Sequence, residues 1–185
     1  MSELQIIHEI LEGNSSKFNL LVDKYQNMVF RTTIGFVHNK EDAEDLTQDV
    51  FIRTFQALKT FNGDAEFSTW LYRITVNTSI NHLNKVKNRG FLHFAEDILQ
   101  HLFNRASEDK NPQQLLEQKE RDELIRKAID ALPEKQRIAF VLSKYDDLTQ
   151  KEIAVIMEST EGSVEQLLQR AKSNLQKKLS PIVGN

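Results

Sequence analysis

The chain has 185 residues, 39% of them hydrophobic and 28% charged, which is the balance of a soluble globular protein with room for one ordinary domain or two small ones. The absence of cysteine excludes disulfides, thiolate metal sites and a cysteine nucleophile, and a net charge of −3 excludes a protein that coats nucleic acid by bulk charge alone. No apolar run approaches the ~20 residues of a membrane span, and Glu3, His8 and Glu9 interrupt the Met1–Ile10 stretch, so neither membrane insertion nor a signal peptide is expected and a cytoplasmic location is.

Helical periodicity runs through almost the whole chain and no strand pattern does, which predicts an all-α fold. Leu4, Ile7, Ile10 and Leu11 mark a short first helix that stops near Gly13-Asn14. Ser15 or Ser16 is placed to cap a long second helix with Phe18, Leu21, Val22, Tyr25, Met28, Val29, Thr32 and Phe36 on one face. Asn39 breaks that pattern. A third helix carries Ala43, Leu46, Val50, Thr54 and Leu58 inward, up to a turn at Asn62-Gly63. Ser68 is placed to cap a fourth helix, with Phe67, Leu71, Ile74 and Thr78 facing a core that also takes the single Trp70.

Periodicity fades from Asn88 to about Pro112, across Gly90 and Ser107–Asn111. This reads as a linker, with room for a short helix near Ile98–Phe103. Beyond it a helix is expected from about Gln113 to Ala131, then another opened by Pro133 and bringing Phe140, Val141 and Leu142 to a core. Two small helical domains follow, 1–88 and 113–185, joined by a flexible linker at 89–112. Each is small enough to have a core of modest stability.

The segment Leu148–Leu179 reads as a helix-turn-helix. Thr149 and Glu152 make a T-x-x-E capping box. Ile153, Ala154 and Met157 give the first helix an apolar face, Thr160 can cap the second, and Val164, Leu167, Leu168 and Ala171 are spaced to pack back on it. Ala154 precedes Val164 and Leu167 by ten and thirteen residues, the internal spacing of the DNA-binding motif. The opposite face holds Ser163, Glu165, Gln166, Gln169, Arg170 and Ser173, all able to hydrogen-bond base edges or phosphates. Glu158 stands where glycine usually makes the turn, and a left-handed non-glycine residue costs roughly 1–2 kcal/mol.

Charge is segregated. Lys85, Lys87 and Arg89 lie in an acid-free stretch from Asn77 with His82 beside them. Arg170, Lys172, Lys177 and Lys178 outnumber Glu165 from Ser163 onward. Glu41, Asp42, Glu44, Asp45 and Asp49 crowd one helix. Solvated helix faces would explain any one of these runs; the combination suits DNA contacts in two places and a basic protein partner in a third. The histidines show no metal-ligand spacing, and no phosphate loop, nucleophile elbow or paired carboxylates stand out, so neither a metal, nor a cofactor, nor catalysis is expected.

Four phrases in register resemble one family. Asp42–Phe55 (DAEDLTQDVFIRTF) and Phe61–Asn77 (FNGDAEFSTWLYRITVN) closely resemble region two of extracytoplasmic-function (ECF, group IV) RNA polymerase sigma factors. Leu132–Phe140 (LPEKQRIAF) and Leu148–Ala154 (LTQKEIA) resemble their region four, with the linker standing in place of region three. The resemblance implies a subunit that binds core RNA polymerase, recognises a promoter and helps open it. It implies that Asp45, Gln48 and Asp49 dock on the clamp helices of the beta-prime subunit, with the beta subunit also a partner. The helix from Ser68 to about Lys87 would read the minus-ten element through Arg73, Asn77, Asn81, Asn84, Lys85 and Lys87. The loop Asn62–Phe67 resembles a pocket for a base flipped out of the stack. In region four, Glu165, Gln166 and Gln169 fall on base-reading positions and Arg170 on a phosphate contact, with Ser163 and Lys172 beside them. Many members carry a basic residue just after the buried valine, where this chain has Glu165; an unusual minus-thirty-five element is expected. The resemblance also implies an anti-sigma partner. The alternative is an ordinary helix-turn-helix regulator that is not a polymerase subunit, which leaves the N-terminal block unexplained.

Overall fold

The computed structural model describes residues 1–101 and 113–183, and the side chains of 1–87 and 121–180. Among the described residues every regular element is helical: α1 Glu3–Leu11, α2 Phe18–Val37, α3 Lys40–Ala57, α4 Phe67–His101, α5 Gln113–Asp130, α6 Glu134–Tyr145, α7 Gln150–Ile156 and α8 Glu161–Val183.

Local chemistry sets most of the boundaries. Ser2 and Gln5 form a capping box that starts α1, although the apolar spacing alone marked only its interior. Helix α2 has no side-chain cap; Ser15–Lys17 instead form a 3-10 turn, and Ser16 Oγ donates to Asn14 Oδ1 at 2.8 Å. The serines expected to cap α2 are thus spent one turn earlier. Asn39 does break the pattern, because its side chain accepts from the Asp42 amide and begins α3, while His38 before it turns left-handed. Helix α4 begins at Phe67, so Ser68 lies inside its first turn and its hydroxyl meets Glu66 rather than capping.

The expected linker at 89–112 is helical in its first part, since α4 runs on to His101. Gly90 costs a helix only about 1 kcal/mol relative to alanine, and no proline intervenes before Pro112, so loss of an apolar face does not by itself end the helix. Residues 102–112, including the end of the expected Ile98–Phe103 helix, lie outside the described residues.

Helices α1–α4 enclose one core of Ile6, Ile7, Ile10, Leu21, Val29, Val50, Phe51, Leu58, Phe67 and Leu71. The second core is shared. Phe36, Tyr72, Val76 and Ile80 of the N-terminal block pack with Ala139, Val141, Leu142, Ile153 and Val164 of the C-terminal block. Each of the larger aliphatic and Phe side chains among them is worth roughly 1.5–3 kcal/mol on full burial, so the shared core holds the two helical blocks against each other. Gly35 makes this approach possible. A Cβ built there would lie 2.8 Å from Val141 Cγ1 and 2.9 Å from Tyr145 Cγ.

Candidate nucleic-acid interface

The acidic helix α3 is two-faced. Leu46 and Val50 are buried, whereas Asp45, Gln48 and Asp49 are exposed and lie within about one turn on its outer side. Asn39 at its start and Glu41 and Asp42 in its first turn suit the positive end of the helix dipole, so part of this acidity has a local structural use.

Along α4 the polar positions split by location. Asn77, Asn81, Asn84, Lys85 and Lys87 are all exposed, and they follow the turns whose opposite side buries Thr75, Val76, Thr78, Ser79 and Ile80. Arg73 is engaged elsewhere. Its Nη2 donates to the Val155 carbonyl at 2.8 Å, and its Nη1 lies 3.0 Å from Glu158 Oε1, so this guanidinium closes the C-terminal end of α7. A residue that the sequence assigns to DNA is here a bridge between the two blocks.

Asn62 is exposed in the loop before α4 and pairs with Asp64, and Gly63 takes a left-handed φ of 80°. The loop borders a cavity of about 570 Å³. Tyr25, Phe61 and Phe67 give it aromatic walls, with Phe67 centred 5.3 Å from Tyr25 and 5.5 Å from Phe61. Trp70 lies behind them, its ring 5.3 Å from Phe61 and tilted 53° to it, half-buried as a packing residue.

The helix-turn-helix forms as its spacing requires. Thr149 Oγ1 accepts from the Glu152 amide, and the Glu152 carboxylate accepts from the Thr149 hydroxyl at 2.6 Å and the Thr149 amide at 2.8 Å; those two bonds to the carboxylate, the hydroxyl's first, hold the Glu152 carboxyl below its usual range. Ile153, Ala154, Val164 and Ala171 are buried, and Thr160 Oγ1 accepts from the Ser163 amide at 3.2 Å. Glu158 is left-handed at φ 51°. Ser163, Glu165, Gln166, Gln169, Arg170 and Lys172 are all exposed on α8. Gln169 Nε2 donates to Glu165 Oε1 at 3.2 Å, which aligns these two side chains along the helix.

The junction also contains polar groups that sequence reading missed. Thr32 Oγ1 donates to Asp146 Oδ2 at 2.8 Å, and Asp146 Oδ1 sits 3.8 Å from Arg31 Nε without a hydrogen bond. Burial lifts the Asp146 carboxyl to about 6, against the opposing pull of Thr32 and Arg31. Nearby, Asp130 lies 3.4 Å from His38 Nε2 and 3.7 Å from Arg137 Nη1. The one available sequence signal was Gly35, a glycine in the interior of a long helix, which costs about 1 kcal/mol and asks for a packing reason.

Residues 21–89 match the family description Sigma-70 region 2, and residues 122–175 match Sigma-70, region 4. The chain is 33% identical over 182 residues to the RNA polymerase sigma-H factor of Pseudomonas aeruginosa, covering 97% of this chain and 94% of that protein. It is 32% identical over 186 residues to the ECF RNA polymerase sigma-E factor of Escherichia coli (strain K12), covering 99% and 97%. Among solved structures, CnrH in complex with the cytosolic domain of CnrY shares the fold at a TM-score of 0.63 and 22% identity, over 95% of this chain and 96% of that one. The sigma factor RpoE in complex with the anti-sigma factor NepR from Bartonella quintana does so at 0.57 and 21%, over 88% and 96%. With regions 2 and 4 in order on one chain, and full-length relatives above 30% identity, this protein belongs to the extracytoplasmic-function sigma factors of the sigma-70 family.

Proposed function

We propose that this sigma factor binds core RNA polymerase through the outer face of α3, reads the minus-ten element along α4 and the minus-thirty-five element along α8, and helps open the promoter. The observation that carries this reading is the presence of both sigma regions, in order, on one chain matched over nearly its whole length. An ordinary helix-turn-helix regulator accounts for region 4 alone and is not favoured.

The division of labour follows from charge. Asp45, Gln48 and Asp49 are exposed on an acidic helix face that repels phosphate, and they suit a basic partner such as the beta-prime clamp helices. Asn77, Asn81, Asn84, Lys85 and Lys87 offer donors to a separated strand, and the cavity beside Asn62 offers aromatic walls to an extruded base. Ser163, Glu165, Gln166 and Gln169 face outward for base edges, with Arg170 and Lys172 for phosphates. A net charge of −3 fits a specificity subunit whose non-specific DNA affinity comes from the polymerase. The initiation chemistry then belongs to polymerase, in the cytoplasm, and this chain contributes recognition without catalysis. Among the described residues no helix is long and apolar enough to cross a membrane. An anti-sigma factor that covers the polymerase- and DNA-binding faces is the expected regulator.

Run-off transcription with core polymerase and a genomic promoter library tests the reading. Discrete transcripts are expected, and they are expected to vanish when Asp45 and Asp49 are changed to lysine. Specific DNA binding without polymerase binding would overturn it in favour of the ordinary regulator.

A further inference from the structure

Part of the α4 surface assigned to the minus-ten strand faces the C-terminal block of its own chain. Arg73, Asn77, Asn84 and Lys87 recur at intervals of four, seven and three residues, which sets them along one side of the helix. Two clefts between the blocks run along that side. The first, of about 260 Å³, is lined by Arg73 and Asn77 from α4 and by Glu134, Lys135 and Glu158 from the C-terminal block. The second, of about 610 Å³, is lined by Asn84 and Lys87 and by Asp130, Glu134 and Arg137. Glu134, exposed in the first turn of α6, borders both.

The C-terminal block brings acid to a basic helix face. From Phe67 to Lys87, α4 carries Arg73, Lys85 and Lys87 and no Asp or Glu. Asp130 and Arg137 lie 3.7 Å apart and largely answer each other. That leaves Glu134 and Glu158, offset only by Lys135, beside the α4 stripe. Glu158 Oε1 is 3.0 Å from Arg73 Nη1, and carboxylate and phosphate oxygens seek the same place on a guanidinium. With Nη2 on the Val155 carbonyl, both ends of Arg73 are taken. The packed chain also cannot serve two promoter elements at once. Elements about 25 base pairs apart, at about 3.4 Å each, are separated by roughly 85 Å, whereas α4 and α7 here share a hydrogen bond.

We propose that the C-terminal block is an internal competitor for the nucleic-acid strand: Glu134 and Glu158 stand in for phosphates along the Arg73–Lys87 side of α4, so that strand binding there and separation of the blocks are one event. This rests on the reading of α4 as the strand-binding helix. The free chain is thereby shielded from stray nucleic acid. No residue of α3 lines either cleft, so its outer face stays open to polymerase while the strand-binding side is covered.

The chain has no cysteine, so Gln56→Cys and Ser180→Cys, exposed on α3 and α8, take a donor and an acceptor dye that report block separation by energy transfer. The probe is an oligothymidine of about 20 nucleotides, whose phosphates are all that the competition requires. It is expected to lower energy transfer in step with its binding, and Glu134→Gln with Glu158→Gln to lower the midpoint by about threefold or more. Gly35→Ala, or Gly35→Leu should the smaller side chain be absorbed, supplies a chain already opened, recognised by its low energy transfer. There the same pair of substitutions is expected to shift the midpoint, followed by oligonucleotide anisotropy, by less than about 1.5-fold. Binding without loss of energy transfer, an unmoved midpoint, or equal shifts in the packed and opened chains would each overturn the competition while leaving α4 as the reader. If the opened chain binds no oligonucleotide, or binds it equally well with Lys85→Ala and Lys87→Ala, the reading of α4 itself falls.

Discussion

Thr32 Oγ1 and Asp146 Oδ2 lie 2.8 Å apart across the junction of the two blocks, and this bond ties α2 to the residue that follows α6. Asp146 is 7% exposed, and Arg31 is too far for a hydrogen bond, so one hydroxyl partners a buried carboxylate. The groups facing it are Arg31 and Thr32 from α2, Tyr72 from α4 and Asp147 next in the chain.

A pH dependence follows. Burial raises the Asp146 carboxyl from 3.8 to about 6, so the packed chain holds this proton more tightly than an exposed carboxylate would. The stabilisation is fully present below about pH 4 and is lost as pH rises through about 6, leaving a cost of at most about 3 kcal/mol near neutrality. Asp146→Asn keeps an acceptor for Thr32 and removes the titration. Its stability relative to wild type in urea is expected to rise by about 2 kcal/mol between about pH 4.5 and pH 7.5. A constant difference across that range would refute the assignment.

Gly35 is the steric counterpart of that bond. In isolation, Gly35→Ala favours α2 by about 1 kcal/mol. At the junction its Cβ would fall 2.8 Å from Val141 and 2.9 Å from the Tyr145 ring, contacts too short to keep. The variant is expected to separate the blocks without unfolding either. Small-angle scattering should show a larger radius of gyration, with Trp70 fluorescence unchanged as the sign that the N-terminal core is intact. An unchanged radius would mean that the junction yields where it looks rigid.

Arg73 has two claims on it. It grips Val155 and Glu158 in the packed chain, and the sequence places it on the helix expected to read promoter DNA. Glu158 is largely exposed, so its ion pair contributes about 1 kcal/mol or less. Glu158→Gln is accordingly expected to quicken promoter-complex formation by holoenzyme about twofold to fivefold, by releasing Arg73 more often. An unchanged rate in stopped-flow measurements would show that the blocks part before Arg73 matters.

What could be read from the sequence was what neighbours along the chain decide. The Thr149–Glu152 box, the left-handed Glu158 and the in-and-out alternation of Leu46 and Asp45 are settled within a few residues, and all appear as the spacing required. Asp146, Gly35 and the Arg73 bridge depend on segments that meet only after folding; Thr32 and Asp146 are 114 residues apart. Asp146 in particular follows Tyr145 as an ordinary helix-end acid, and nothing local says that α2 will cover it. Helix α4 runs past the last residue of its apolar stripe for a related reason: an apolar stripe reports packing, and a helix can outlast the surface it packs on.

Glu165 carries the last expectation. It is exposed one residue after the buried Val164, and the bond from Gln169 at 3.2 Å aligns it with the next turn of α8. A carboxylate near the start of the helix proposed to read DNA repels phosphate and accepts well from cytosine N4, where a basic side chain would seek guanine. Holoenzyme selecting from random duplex DNA should therefore return a minus-thirty-five element with cytosine on the contacted strand opposite Glu165. Glu165→Ala should flatten preference at that base pair by roughly five- to a hundredfold, the worth of one good base contact, and leave the neighbouring positions intact. Freed from its partner, Gln169 should keep its own preference, since its amide pairs with adenine unaided. Selection of the element common to the wider family, or an Ala variant with the wild-type motif, would remove Glu165 from the reading face and leave it as the solvent-exposed partner of Gln169.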